Sequence, residues 1–473
     1  RRKIMSNKQF ELIIIGGGAA GFAAATRADE LKIKTAIINA GLPMGGTCVN
    51  VGCVPTKYFL AVGKELYSPK HPKFKSVPPI QVAFDFEGSM KEKVSLLNTL
   101  RQKNYQDVLN SFKYVTWIEG RGIFESEHMI RVGNQLLEGD KILIATGCSS
   151  KIPLVEGLND AGYITNKDAL SLPKQPSTLV ILGGGPLGLE FAQIFNRMGT
   201  KVTLITHGQR ILSIQEPEIS ELLRKYLESE DIKIFTNTRV TKVTNMGKQK
   251  EVTLEKEGRK ETITTEDILV ATGVAGNIQN MGLEKIGIET EKDCQVKVNE
   301  FLQTNIPHIY AAGDCVCHIC LETVAAKEGK IAVENAFQNA INKIDFSTVP
   351  YAVFTDPEVA SVGFTESKYM EKYKTCDCRT VYMDKVPKAL AVNDTRGLLK
   401  MVVQHETKKI VGVHILSPVA SEMIHKAVLA IKCSLTVDDI IDTVHVFPTF
   451  SEAIKIAAQA YRRDISTMSC CVE

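Results

Sequence analysis

The sequence predicts an α/β fold class: two Rossmann-like dinucleotide-binding domains followed by a carboxy-terminal α+β domain. Three observations carry that expectation. A glycine-rich turn between two apolar runs occurs twice, an ATG-terminated strand follows each copy, and the texture of the chain changes at Val349.

The first copy is ELIIIGGGAAGFAAATRADELKIKTAIIN, in which an apolar strand runs into Gly16, Gly18 and Gly21, then an alanine-rich helix, then a second strand. This is G-x-G-x-x-G in the βαβ context it requires. The glycines let backbone approach a pyrophosphate, and the helix N-terminus attracts its charge. The second copy, STLVILGGGPLGLEFAQIFNRMGTKVTLIT, carries Gly183, Gly185 and Gly188. The strand KILIATG ends at Gly147 and its echo DILVATG at Gly273. Two such domains imply two nucleotides brought together, and a flavin with a nicotinamide is the simplest pairing for hydride transfer.

Residues 68–79, rich in proline and lysine, read as a loop, and a helix with packed Val94, Leu97 and Leu100 is expected from about Gly88 to Phe112. Beyond Val349, LLKMVVQHETKKIVGVHIL reads as a hairpin, and Thr449 and Glu452 form a capping-box signature for a last helix. The expected boundaries are 5–150 with 283–348 for the first nucleotide, 151–282 for the second, and 349–473 for an interface domain.

Composition excludes several classes. A net charge of +3 on 473 residues gives no nucleic-acid footprint, and no apolar run approaches the ~20 residues a membrane helix needs. The strand beginning at Leu12 leaves no room for a signal peptide, so a cytoplasmic location is expected. The chain has 12 cysteines without the spacing of a secreted framework, which points to catalysis or metal binding.

Cys48 and Cys53 in GGTCVNVGCVPTK follow the first βαβ unit directly. On a helix their spacing puts both sulfurs near one face, close to an N-terminus that favours a thiolate. A zinc half-site would need a second ligand pair, so a redox pair is the preferred reading. With these motifs, IYAAGDCV, LETVAAKEG and VPYAVFTDPEVASVGFTE, the chain resembles the flavoprotein disulfide reductases over almost its whole length. That resemblance implies FAD in the first domain, NADPH or NADH in the second, and a homodimer with shared active sites. It implies Cys53 as the thiol against the flavin, Cys48 as the outer exchanging thiol, and a Lys57–Glu190 pair near the flavin. It assigns Asp314 to the flavin ribitol. It further implies Asn39, Gly46, Thr47, Gly120, Thr146, Gly147 and Leu321 as flavin-binding, and Gly273 as nicotinamide-binding.

Where NADH-binding units carry an acid about 20 residues past the glycine loop, this chain has Thr206, then His207 and Arg210. The missing acid and the cations favour NADPH, although Arg210 also fits a plain surface charge.

The substrate is read from HVFPTFSE. Disulfide-reducing members carry His-Pro-Thr there, with the His as acid–base; this chain has Phe447, and general acid–base help is worth about 10²–10⁴-fold. A soft metal ion held by thiolates needs no such proton delivery. The tail ends in CCVE. Cys470 and Cys471 are adjacent, ~3.8 Å apart at Cα, below the usual disulfide span of about 4.4–6.8 Å. The pair resembles the paired terminal cysteines of the mercuric-reductase branch. The expected function is therefore NADPH-dependent reduction of Hg(II), arriving as thiol complexes, with Cys48, Cys53, Cys470 and Cys471 as metal ligands. The alternatives are a disulfide reductase of the dihydrolipoamide dehydrogenase or thioredoxin reductase type, and a copper-reducing or metal-sequestering flavoprotein. Pro186 stands where an aromatic often covers the flavin. Cys315, Cys317 and Cys320 at the flavin-binding turn are expected to pack, and Cys376 and Cys378 to be exposed and incidental.

Overall fold

The computed structural model describes residues 8–316 and 318–465. Cys470 and Cys471, with the expected delivery role, and Cys317 lie outside the described residues.

The first sheet places five parallel strands in the spatial order Val115–Glu119, Thr35–Asn39, Lys8–Ile15, Gln135–Ile144 and Ile309–Ala311. In chain order this reads third, second, first, fourth, fifth, so the winding reverses beside the Lys8–Ile15 strand. A doubly wound sheet opens its binding crevice at that reversal. Leu12 to Ile15 are all buried, as a strand covered on both faces requires. The alanine-rich Ala19–Glu30 helix covers one face and packs on the Glu322–Gln338 helix through Ala20, Ala24, Ala28, Ala325 and Ala332.

The second unit repeats the plan with Lys233–Phe235, Lys201–Ile205, Thr178–Leu182 and Asp267–Val270. The Pro186–Arg197 and Pro217–Ser229 helices cover one face, and an antiparallel sheet containing Val243, Val252 and Leu254 covers the other. The third unit is an antiparallel sheet of five strands: Tyr351–Val353, Glu358–Gly363, Ile410–Ser417, Leu398–Val403 and Asp377–Tyr382. The Ala420–Lys432 and Glu452–Gln459 helices pack against it. The expected hairpin is its Leu398–Val403 and Ile410–Ser417 pair. Among the described residues, no helix is long and apolar enough to cross a membrane.

Three local expectations are corrected. The long helix starts earlier, at Phe86 with Asp85 capping Gly88, and is interrupted by a π-turn over Gln102–Gln106. On it Leu97 is buried but Val94 is exposed; Lys93 is buried instead, its ammonium donating to the Leu170 carbonyl. The capping box at Thr449 does not form, because its hydroxyl donates to the Val446 carbonyl and the helix is entered from Ser451. Cys376 and Cys378 are half-buried, with their sulfurs 3.2 Å apart.

One polar stripe joins the second unit to the third. Glu190, Gln193 and Arg197 lie three and four residues apart and so share a helix face. Glu190 accepts the Phe354 N–H at 2.9 Å, and Gln193 accepts the Asp356 N–H at 2.7 Å while donating to the Asp356 carbonyl at 3.0 Å. Arg197 pairs with Asp356 at 3.1 Å and with Glu230 at 2.7 Å. This fixes the loop after Val353 to the helix that opens on the second glycine turn.

Candidate active site

The first glycine turn borders a cavity of about 1210 Å³, above the ~300–1,000 Å³ of common small-ligand pockets and suited to a dinucleotide. Its lining includes Gly16, Gly18, Asn39, Gly46, Thr47, Gly120, Thr146, Gly147, Asp314 and Leu321. A second cavity of about 810 Å³ is lined by Gly183, Gly185, Thr206, His207, Arg210 and Gly273. Thr47, Cys148, Pro186, Leu187 and Asp314 border both, so the two cavities adjoin there. Gly21 and Gly188 line neither. Each is a packing glycine, where a Cβ would sit 1.9 Å from the Gly16 carbonyl oxygen and 2.1 Å from that of Gly183, respectively.

Both cavities suit pyrophosphates. The Ala19–Glu30 and Pro186–Arg197 helices begin at glycines with no side-chain cap and no acid in the first turn. Their free N–H groups remain for phosphate oxygens, aided by the helix dipole. Gly46 has φ +62°, and a Cβ there would lie 2.7 Å from the Gly18 Cα, so only glycine keeps this wall of the cradle open. Asn39 donates to the Leu42 carbonyl at 3.0 Å, which leaves its side-chain carbonyl oxygen available as an acceptor at the cavity wall.

Cys48 and Cys53 face the same cavity but do not share one helix. Gly52, at φ −132° and ψ −117°, breaks the segment into Gly46–Val51 and Cys53–Tyr67. Cys53 becomes the first residue of a 15-residue helix, where partial positive charge favours a thiolate. Each sulfur acts on the other: Cys53 pushes the Cys48 thiol up, and Cys48 brings Cys53 down to about 7 against the opposing effect of burial, with help from Lys57. Cys53 is open to the cavity and enclosed by protein elsewhere, which is why burial still acts on it. The pair therefore holds one proton near neutrality. Alkylation of the reduced pair is expected to rise with pH and level off above about 7, whereas an ordinary thiol levels near ~8.5. Peptide-mapped iodoacetamide kinetics measure it, and a plateau displaced to the ordinary value would refute the shared proton.

Lys57, one helical turn beyond Cys53, donates to both oxygens of Glu190, at 2.9 and 3.1 Å. Its ammonium also lies 4.3 Å from the centre of the Phe354 ring. The carboxylate is buried, so its charge is balanced by this ammonium and the Phe354 N–H. Sequence reading missed Phe354, Gln193 and Arg197; Phe354 lies in the quoted VPYAVFTDPE segment, and Gln193 and Arg197 lie in the helix of the second glycine-rich unit. At the far wall the Cys148 thiol donates to Asp314 at 3.2 Å, and burial raises the Asp314 carboxyl. Cys315 is buried, as a packing role requires, while Cys320 is disulfide-bonded and borders both cavities.

His445, two residues before Phe447, is engaged locally. It accepts from Lys426 at 2.8 Å and bonds the Ile440 carbonyl at 2.9 Å. Phe447 itself is 53% exposed.

The family model described as pyridine nucleotide-disulphide oxidoreductase matches residues 10–333, and the dimerisation domain of the same family matches 349–458. The chain belongs to this family. This pyridine nucleotide-disulphide oxidoreductase is accordingly an oxidoreductase with FAD and NADPH as cofactors and a dimerisation domain. It is 36% identical to the mercuric reductase of Staphylococcus aureus, over 98% of this chain and 84% of that protein. It is 35% identical to the mercuric reductase of Streptomyces lividans, over 99% of both. Among solved structures it is similar to the HOCl-induced flavoprotein disulfide reductase RclA from Escherichia coli, with TM-score 0.84 and 26% identity over 95% of this chain and 99% of that one. The Cu(II) complex of RclA matches with TM-score 0.85 at the same identity, over 96% and 99% of the two chains.

Proposed function

We propose that this chain catalyses NADPH-dependent reduction of Hg(II) to Hg(0) on Cys48 and Cys53, in a homodimer with shared active sites. One observation carries the reading: a reactive dithiol is retained while Phe447 replaces the acid–base histidine that disulfide reduction uses. The curated mercuric reductases, similar over nearly the full chain, support it.

The cofactors, when bound, supply the electron pair. Cys48 and Cys53 as thiolates hold Hg(II) as a soft cation. Two electrons reduce it, both Hg–S bonds break, and the sulfurs remain thiolates while NADP⁺ and a proton are the other products. Lys57 and Glu190 set the local charge beside the pair. Thr206, His207 and Arg210, which line the second cavity, would hold the nicotinamide nucleotide's ribose and its 2′-phosphate.

Cys470 and Cys471 of the partner subunit collect Hg(II) from external thiols and pass it to Cys48 and Cys53 by ligand exchange. Changing both to alanine is expected to lower turnover of thiol-bound Hg(II) by about 10²-fold, the lower end of what a tethered binding module contributes. Flavin reduction by NADPH stays at its original rate. Equal turnover at every concentration of competing thiol would remove the delivery role.

NADPH oxidation with Hg(II), alongside Cu(II), lipoamide and glutathione disulfide, with mercury vapour collected, tests the whole reading. Vapour evolution with negligible disulfide turnover is expected; rapid disulfide turnover without vapour would replace it. A second reading, Cu(II) reduction on the same pair, is favoured by the Cu(II) complex of the structural relative. Faster oxidation of NADPH with Cu(II) than with Hg(II) would select it.

A further inference from the structure

Cys376 immediately precedes the edge strand Asp377–Tyr382, and Cys378 belongs to it. Residues two apart on a strand share a face, and here the sulfurs approach to 3.2 Å. Asp377 between them turns the other way, to Lys408 and His405. Glu366, first residue of the Glu366–Tyr373 helix, completes a set in which one carboxylate oxygen and both sulfurs lie within 4.8 Å of one another.

The charge around this set favours a cation. The buried Lys400 ammonium is shared by Glu216 at 3.0 Å, Glu218 at 2.9 Å and Glu366 at 2.6 Å. Three carboxylates against one ammonium leave two negative charges in excess, with Arg210 acting on Glu218 from farther away. His414, 3.9 Å from Glu216, offsets little, because burial lowers its pKa and keeps it neutral. Burial, the bond to Cys376 and the nearby Glu366 together push the Cys378 thiol up. A disulfide is a poor use of this pair: an extended i, i+2 separation of ~6.6–7.2 Å at Cα straddles the upper end of the usual span, ~6.8 Å.

We propose that Cys376, Cys378 and Glu366 form a second soft-metal site, separate from Cys48 and Cys53, for a thiophilic d¹⁰ cation such as Cd(II), Zn(II) or Hg(II). Two bonds of ~2.3 Å in tetrahedral geometry set the sulfurs ~3.8 Å apart, a small opening from their present distance. The metal replaces both thiol protons, so binding releases two protons and leaves the net charge of the site unchanged. The fourth position stays open for exchange. The Tyr461 hydroxyl donates to the Asp377 carbonyl at 3.1 Å, which puts Tyr461 beside this site, and Cys470 follows nine residues on in the sequence, at most ~32 Å of extended chain. Handover between this site and the tail rests on the proposed function; ion binding does not.

Cd(II) is the probe, being thiophilic and not reduced under these conditions. In FAD-loaded C48A/C53A/C470A/C471A under anaerobic conditions, one Cd(II) per subunit is expected, with thiolate-to-metal absorption and release of two protons. Adding C376S/C378S should remove the absorption and weaken binding by about 100-fold or more, and adding E366Q instead should weaken it about tenfold with the absorption kept. No tight Cd(II), or tight binding that survives C376S/C378S, overturns the proposal. In the unaltered holoenzyme, Cd(II) should slow alkylation of Cys376 and Cys378 more than about tenfold by peptide mapping. Equal rates with and without Cd(II) would also overturn it. Neither experiment measures Hg(II) turnover, so this site and the flavin-side dithiol stand or fall separately.

Discussion

Replacing Cys53 with alanine is expected to lower kcat/KM for NADPH-dependent Hg(II) reduction by about 10²–10³-fold or more. Apparent binding energies of ~10–16 kcal/mol for a four-ligand thiophilic site put ~2.5–4 kcal/mol on each ligand, roughly that factor in affinity. In this chain the loss is compounded. Cys53 sits at the head of a 15-residue helix and carries the low-pKa sulfur of the pair, so its removal also takes away the sulfur that ionises more readily near neutrality. The variant should still bind FAD, because the glycine cradle and the Asp314 wall are untouched. Flavin content and anaerobic reduction by NADPH separate a lost ligand from a lost fold. If the alanine variant releases mercury vapour within tenfold of the parent rate, the dithiol is not where the ion is reduced.

Much of this architecture is legible in the sequence, because the informative residues are constrained by backbone rather than by side-chain partners. Gly16 and Gly21 announce a tight strand-to-helix turn, because a Cβ at either would run into a backbone carbonyl oxygen. The break at Gly52 is less legible: a C-x₄-C spacing looks continuous on a helix, and only the backbone angles of Gly52 show two helices meeting. The Glu190, Gln193 and Arg197 stripe hides for a different reason. Polar residues at helical spacing look like a solvated face, yet here they are buried against a loop more than 150 residues away in sequence. Cys376 and Cys378 hide likewise, since the carboxylate beside them enters from another element. Tertiary pairing of charges leaves no local periodicity.

That buried stripe gives the second large effect. Changing Arg197 to alanine is expected to destabilise the protein by about 3–5 kcal/mol, the cost of stranding buried charges after one partner is removed. The Arg197 side chain is 2% exposed and its partner Glu230 3%, so water cannot replace the lost pairing. The guanidinium donates twice to Glu230, at 2.8 and 2.7 Å, while Arg396 reaches Asp356 from the other side at 2.7 Å. Burial alone would raise the Asp356 carboxyl, but Arg396 and Arg197 bring it below its ordinary value. A depressed folded-state pKa adds stability that is present above the unfolded value of ~3.9 and lost as pH falls through the folded one. The gap between parent and variant should therefore hold from neutral pH down to about 4 and narrow below it. Differential scanning calorimetry of the two holoenzymes across that range measures it. The same loop carries Phe354, whose N–H bonds Glu190, so loosening it should also weaken the Lys57–Glu190 pair beside the dithiol. Slower turnover at temperatures where the variant is still folded would show that coupling, and unchanged turnover there would confine Arg197 to holding the second and third units together.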